Sequence, residues 1–182
     1  MVENAMSYLN KPSDTLMLDL INNTPGNIPV RRDQITFGKP IAKISSDPNV
    51  NTGLRVSAVV GKGYTGYVDV EYFRLDIASL FEGIDVILDV PDAQTSSDLL
   101  ARLNAKYDLG IVATEVIENP VSHDVTDANG AMHTLFFKDS LVYIGHLTLW
   151  VGPEDGSNII RWEDGSAMRW EDGSVMMLEE TA

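Results

Sequence analysis

The chain has 182 residues, carries a formal net charge of −14 and contains no cysteine. These features exclude disulfides, thiolate nucleophiles and cysteine-based metal sites, and they disfavour nucleic acid as a partner because an acidic surface repels phosphates. No run approaches the roughly 20 apolar residues of a membrane-spanning helix and no leader pattern begins the sequence, so we expect a soluble protein made in the cytoplasm, without a membrane partner.

The N-terminal quarter predicts an irregular arm, one helix and one interrupted strand. Residues 1–11 have no periodic pattern, whereas Ser13 precedes an amphipathic stretch with the start signal of a helix. Residues 34–44 are typical of an extended segment that glycine and proline interrupt, as an edge strand tolerates. The apolar face of the predicted helix consists of Leu16, Met17, Leu20 and Ile21.

A β-hairpin follows, with a glycine-rich tip at residues 61–66. The tip lacks the order of a phosphate-binding loop and joins strand to strand, so we interpret it as a turn that exposes Tyr64. The strand before the tip and the strand after it alternate apolar with polar residues, which predicts one buried face. The apolar positions are Leu54, Val56, Ala58 and Val60, then Val68, Val70 and Tyr72.

The second half predicts another helix and more strands. A capping box formed by Thr95 and Asp98 opens a helix over 96–107, and strand-like runs cover 134–137 and 141–151. Since no regular alternation of strand and helix occurs, we expect an α+β core over 12–152, with an antiparallel sheet and two main helices on one face. The other face is then free for partners.

Residues 153–182 contain the motif Glu-Asp-Gly-Ser three times, and the last two units read RWEDGSAM and RWEDGSVM. Asp-Gly favours tight turns between strands, which predicts a C-terminal β-hairpin or meander extension. Its apolar side chains favour an interaction arm over a disordered acidic tail, and cation binding lacks support because no EF-hand loop is present. We expect the contact residues to be Trp162, Trp170, Met168 and Met176, together with Tyr64.

The sequence offers little support for catalysis. His123, Asp124, Asp127, His133 and His146 lack any known metal-ligand spacing, and no nucleophile elbow is present. We therefore predict no catalytic residue, no metal and no cofactor. Two alternatives remain: a hydrolase built around His123, Asp124 and His133, and a carbohydrate- or receptor-binding module in which Trp162 and Trp170 stack on sugars.

Six segments within residues 10–150 carry a resemblance to a known family: Leu16 to Asn23, Ile35 to Pro40, Asn51 and Thr52, Gly63 to Gly66, Tyr72 to Asp76 with Leu80 and Phe81, and Leu99 to Tyr107. Their order resembles a loosely characterised family of virion structural proteins in large tailed bacteriophages. The resemblance implies a subunit made in the host cytoplasm that joins the neck, tail or baseplate, with capsid decoration as the alternative. A cysteine-free acidic domain with an aromatic arm is independently suited to a symmetric oligomer, so we expect other virion proteins and copies of itself as partners.

Overall fold

The computed structural model describes residues 8–124 and 130–152, together with Met168. Within these residues the chain has an α+β fold with several antiparallel strand pairs and two substantial helices, so the predicted fold class is confirmed. The strands form three small sheets instead of one. The predicted C-terminal hairpin or meander lies outside the described residues except for Met168. No helix in the described part of the chain has the length and apolar character to cross a membrane.

The N-terminal sheet region comprises residues 13–74. Strand β3 lies at the centre of its sheet, with β1 and β2 along one side and β4 along the other, all antiparallel. Helix α1 packs on the inner face of this sheet, where Met17 joins Leu54 and Val56 in a small core. The elements are α1 (Ser13–Asn23), β1 (Ile35–Phe37), β2 (Ile41–Ala42), β3 (Thr52–Ala58) and β4 (Tyr67–Tyr72).

Helix α1 differs from its prediction in two details. Pro12 occupies the cap position, so Ser13 is the first helical residue, and its hydroxyl accepts a hydrogen bond from the Leu141 backbone N–H at 3.4 Å. Leu20 was predicted on the buried face but is 53% exposed. The sheet beneath α1 is only three strands wide, and Met17 and Ile21 occupy the contact with its core.

The C-terminal core region comprises residues 75–124 and 130–152. Strand β9 lies at the centre of a three-stranded sheet, antiparallel to β7 and parallel to β6, while β5 and β8 form a separate parallel pair. The elements are β5 (Leu75–Asp76), α2 (Ile77–Leu80), β6 (Ile87–Leu88), α3 (Leu100–Tyr107), β7 (Ala131–Phe136), β8 (Tyr143–Ile144) and β9 (His146–Val151).

The predicted capping box is confirmed. The Asp98 carboxylate accepts a hydrogen bond from the Thr95 backbone N–H at 2.8 Å, and the helix starts as a 3₁₀ turn before continuing as α3. The helix ends at Tyr107, as predicted, and its C-cap residue Asp108 adopts a left-handed conformation with φ +52°. The side chain of Leu103 is fully buried on the core face.

Two predicted strands are shorter than expected. The run 141–151 divides into β8 and β9 at Gly145, whose φ of +85° allows the chain to change direction. Strand β3 ends at Ala58, so Val60 lies beyond the sheet and is 96% exposed, contrary to its predicted place on the buried face. The break at Gly145 places β8 beside β5 and β9 beside β6.

A polar junction joins the two regions. The Arg74 guanidinium donates to the Thr52 hydroxyl at 2.9 Å and to the Ser140 carbonyl at 3.1 Å. The buried Ser140 hydroxyl donates to the Glu115 carboxylate at 3.1 Å and accepts from the Tyr143 backbone N–H at 3.1 Å. Because these polar groups have partners, their burial is tolerated and the regions are held in a defined arrangement.

Candidate interaction surface

An apolar groove runs along the inner face of the N-terminal sheet. It lies between the β3–β4 hairpin and the loop that follows α1, and it has a volume of about 330 Å³. The residues that line it are mainly aliphatic, and they include Tyr64 and Tyr67. We refer to this feature as the groove, and its principal lining residues are Ile21, Ile28, Val30, Val56, Tyr64 and Val68.

The groove exists because α1 covers only part of the inner face. Val56 and Val68 are cross-strand partners and therefore point to the same face of the sheet. Val56 is 6% exposed beneath the helix, whereas Val68 is 55% exposed on β4. Ile28, on the opposite wall, is 72% exposed. Clustered apolar side chains at such exposure are typical of a surface that another polypeptide covers.

The groove adjoins an open sheet edge. Within the described ranges β4 pairs with β3 alone, so its other side has no neighbouring strand. The Ala58 backbone N–H donates to the Gly66 carbonyl at 2.9 Å, so these two residues form a hydrogen-bonded pair. In an antiparallel ladder such pairs alternate with non-hydrogen-bonded pairs. By that alternation Tyr67, Asp69 and Glu71 direct their backbone groups away from β3. Such an edge can accept an added strand.

The outer face of the same hairpin is polar and internally paired. Arg55 makes a bidentate contact with Asp69, at 2.8 and 2.9 Å, and its guanidinium lies 3.9 Å from the centre of the Tyr67 ring. The Arg55 hydrogen bond lowers the pKa of the Asp69 carboxyl below its usual value. Lys43 and Glu71 form a further ion pair on this face. The outer face is therefore suited to water, which leaves the inner face as the candidate contact surface.

Tyr64 forms one end of the groove. Its ring is half-buried and its hydroxyl lies 3.5 Å from the Pro29 carbonyl, so the tip folds towards the loop after α1. Gly66 returns the chain into β4 with φ +82°, a conformation that L-amino acids with side chains rarely adopt. The predicted contact residue Tyr64 thus lies in the groove, although it is less exposed than a free hairpin tip.

The other predicted contact residues cannot be placed in this surface. Trp162, Trp170 and Met176 lie outside the described residues, and Met168 is half-buried. Their proposed role in contacts therefore remains a prediction from the sequence.

The central histidine of the hydrolase hypothesis, His133, lies in a buried hydrogen-bond network and not in an open site. His133 is buried on β7, and its Nε2 lies 3.0 Å from the Ser96 hydroxyl, which is fully buried and also accepts from the Asn119 N–H at 3.2 Å. A substrate has no access to that hydroxyl. Burial lowers the pKa of His133, which favours the neutral ring.

The remaining candidates do not form a metal site with His133. The His123 ring donates from Nε2 to the Ala93 carbonyl at 2.6 Å. Asp124 and His146 are exposed, and Asp127 lies outside the described residues. Among the residues that the structure describes, no three His, Asp or Glu side chains are arranged to hold a metal ion.

Sequence reasoning missed the groove because strand alternation alone does not reveal how much of a sheet face is covered. Val68 and Val70 were assigned to a buried face, but Val68 is exposed and Val70 is only half-buried. A usable signal was present. One helix of 11 residues precedes the hairpin, and a helix about 10 Å wide covers roughly two strands that lie about 4.7–4.9 Å apart, so part of the face of a wider sheet stays open.

Comparison with known proteins assigns a family but no activity. Residues 6–162 match the family of unknown function DUF7941, which is most of the chain, so the chain belongs to that family. No curated protein matches the chain. No solved structure matches it either.

Proposed function

We propose that this member of DUF7941 is a structural subunit that acts through protein–protein contacts, and that the assembly it joins is the particle of a tailed phage. The role in protein–protein contacts is supported by one observation, the groove beside the open edge of β4. An exposed apolar face next to an unpaired strand is the arrangement that strand addition uses, with backbone hydrogen bonds supplying affinity and side-chain pockets supplying specificity.

The remainder of the molecule supports a structural role over a catalytic one. The only buried Ser–His pair among the hydrogen bonds of the described residues is closed to substrate. The outer face of the hairpin is occupied by its own ion pairs. Apolar side chains are also exposed elsewhere in the described residues, such as Ile44 and Met132, but in the groove they lie beside an unpaired strand edge.

The virion part of the proposal is supported by the resemblance of residues 10–150 to structural proteins of large tailed phages. We favour a neck, tail or baseplate component that contacts copies of itself and other virion proteins in a symmetric oligomer. Capsid decoration is the alternative location. Both require repeated contacts of moderate strength, for which symmetric assembly multiplies the affinity.

The experiment is quantitative proteomics of purified phage particles with heads and tails separated. We expect the chain in intact particles, at a small ring-like ratio to the major capsid protein and in the tail or neck fraction. A capsid-like copy number in heads would assign it to decoration instead. Absence from intact particles would refute the virion proposal.

A further inference from the structure

We infer that the groove and the β4 edge receive the C-terminal segment, residues 153–182, of a second copy of this chain. The inference rests on the proposed function, because it identifies which partner occupies that surface. Three properties support it: the distribution of charge along the chain, the length of the pieces between the repeated motifs, and the reach of the segment.

The charge distribution is strongly uneven. Residues 13–74 contain seven Lys or Arg and six Asp or Glu, a net charge of +1. Residues 75–152 contain three Lys or Arg and twelve Asp or Glu, a net charge of −9, and residues 153–182 contain two and eight, a net charge of −6. The C-terminal segment is therefore repelled by the core region, whereas the sheet region that contains the groove does not repel it.

The short sequences that follow the Glu-Asp-Gly-Ser motifs match the open edge of β4 in length, and their side chains match the groove in chemistry. Strand β4 offers six residues, Tyr67–Tyr72. The three Glu-Asp-Gly-Ser motifs are followed by the pieces NIIRW, AMRW and VMML, each four or five residues long and largely apolar. A strand of that length can pair with the β4 edge and place alternate side chains towards the groove. Tryptophan and methionine are suited to a groove lined by aliphatic side chains.

The segment is long enough to reach a neighbour. Thirty residues follow Gly152, and an extended chain of that length spans up to about 100 Å. A folded core of this size has a radius of gyration of about 15 Å. An arm that docks on the next subunit produces a head-to-tail contact, and repetition of such a contact forms a ring when the rotation between subunits closes.

Cross-linking tests the contact in the full-length protein, because a chain without cysteine allows single thiols to be introduced. One tagged chain carries Thr65→Cys, at an exposed position on the groove rim. A second, differently tagged chain carries Ser166→Cys, in the second motif. The two are co-expressed and treated with a short bis-maleimide. The matched control replaces Thr65→Cys by Ser79→Cys, which is exposed on the core region.

We expect a cross-linked product containing both tags for Thr65→Cys and not for Ser79→Cys. Val68→Asp should reduce its yield by about tenfold or more, because the contact would bury an unpaired carboxylate. Val60→Asp makes the same exchange at an exposed position outside the groove and should leave the yield unchanged.

Equal yields for the two thiol positions would overturn the inference. So would a cross-link that forms only when both cysteines are in one chain, because the segment would then dock on its own subunit. Either result leaves the proposed function standing if the chain is present in particles, whereas absence from particles refutes the proposed function whatever the cross-linking shows.

Discussion

The two regions of the molecule differ in how completely they bury their apolar residues. In the core region sixteen buried apolar residues form one cluster, several of them fully buried. The buried cluster of the sheet region has only four members of that region, joined by Leu141 from the core region, and the β3–β4 pair leaves Val68 half-exposed. The core region therefore buries more of its apolar side chains, with Met132 and Phe136 on β7 as exposed exceptions, whereas the sheet region retains a concave apolar face that a partner can cover. The difference shows that an amphipathic strand predicts a buried face without specifying which molecule buries it.

The largest predicted effect comes from a cavity in the core region. Leu103→Ala removes a fully buried side chain from α3 and should lower the free energy of unfolding by about 2–5 kcal/mol. Val68→Ala, in the groove, should change it by less than about 0.5 kcal/mol. Chemical denaturation under conditions that keep the chain monomeric measures both. Similar losses for the two variants would contradict the distinction between the two regions.

The next effect concerns the junction between the regions. Ser140→Ala removes a buried hydroxyl that donates to Glu115 and accepts from the Tyr143 N–H. Stability should fall by about 1–3 kcal/mol, the cost of leaving buried polar groups without a partner. The exposed Ser79→Ala is the control and should have little effect. If Ser140→Ala were also without effect, the junction would not contribute to holding the regions together.

A smaller effect depends on pH. Burial lowers the pKa of His133 in the folded state, so the unfolded chain binds more protons and stability rises with pH. The contribution is present above the unfolded pKa of about 6.5 and is lost as pH falls through the lower folded value. His133→Gln should flatten the stability profile as the pH falls below about 6.5. The control His146→Gln replaces an exposed ring, and an identical flattening by both variants would reject the assignment to His133.

The smallest effect is expected on the outer face of the hairpin. Asp69→Asn disrupts the bidentate contact with Arg55, but both side chains are more than half exposed to water. Exposed ion pairs contribute little to stability, and salt screens them. The denaturation midpoint should therefore change least in this series and should depend less on salt than that of the wild type. A loss as large as that of Leu103→Ala would show that this face is structural.

Local features were predictable from the sequence, whereas the parts of each strand and helix that other elements cover were not. The capping box of Thr95 and Asp98, the hairpin and the helix after Pro12 follow from short-range chemistry, and the structure contains all three. The exposure of Val60 and Leu20 depends on where a strand ends and how wide a sheet becomes. Those are tertiary properties, which periodicity does not encode.

The candidate site was predictable only in part. Tyr64 was selected for a contact at the tip, and it lies in the groove. Ile28 and Val68 were missed because their sequence patterns are those of an ordinary loop and an ordinary strand. Their role becomes visible only once it is known that α1 covers part of the inner face of the sheet. Of the contact residues predicted in the repeats only Met168 lies within the described residues, so the roles of Trp162, Trp170 and Met176 stay predictions from the sequence.

The most direct test of a contact surface at the groove is sedimentation velocity of the full-length protein over a range of concentrations, with Val68→Asp and Val60→Asp compared under identical conditions. We predict that the wild type and Val60→Asp associate into a defined oligomer, while Val68→Asp remains monomeric and folded. Equal association of all three proteins, or a wild type that is monomeric at every concentration, would contradict self-assembly through the groove.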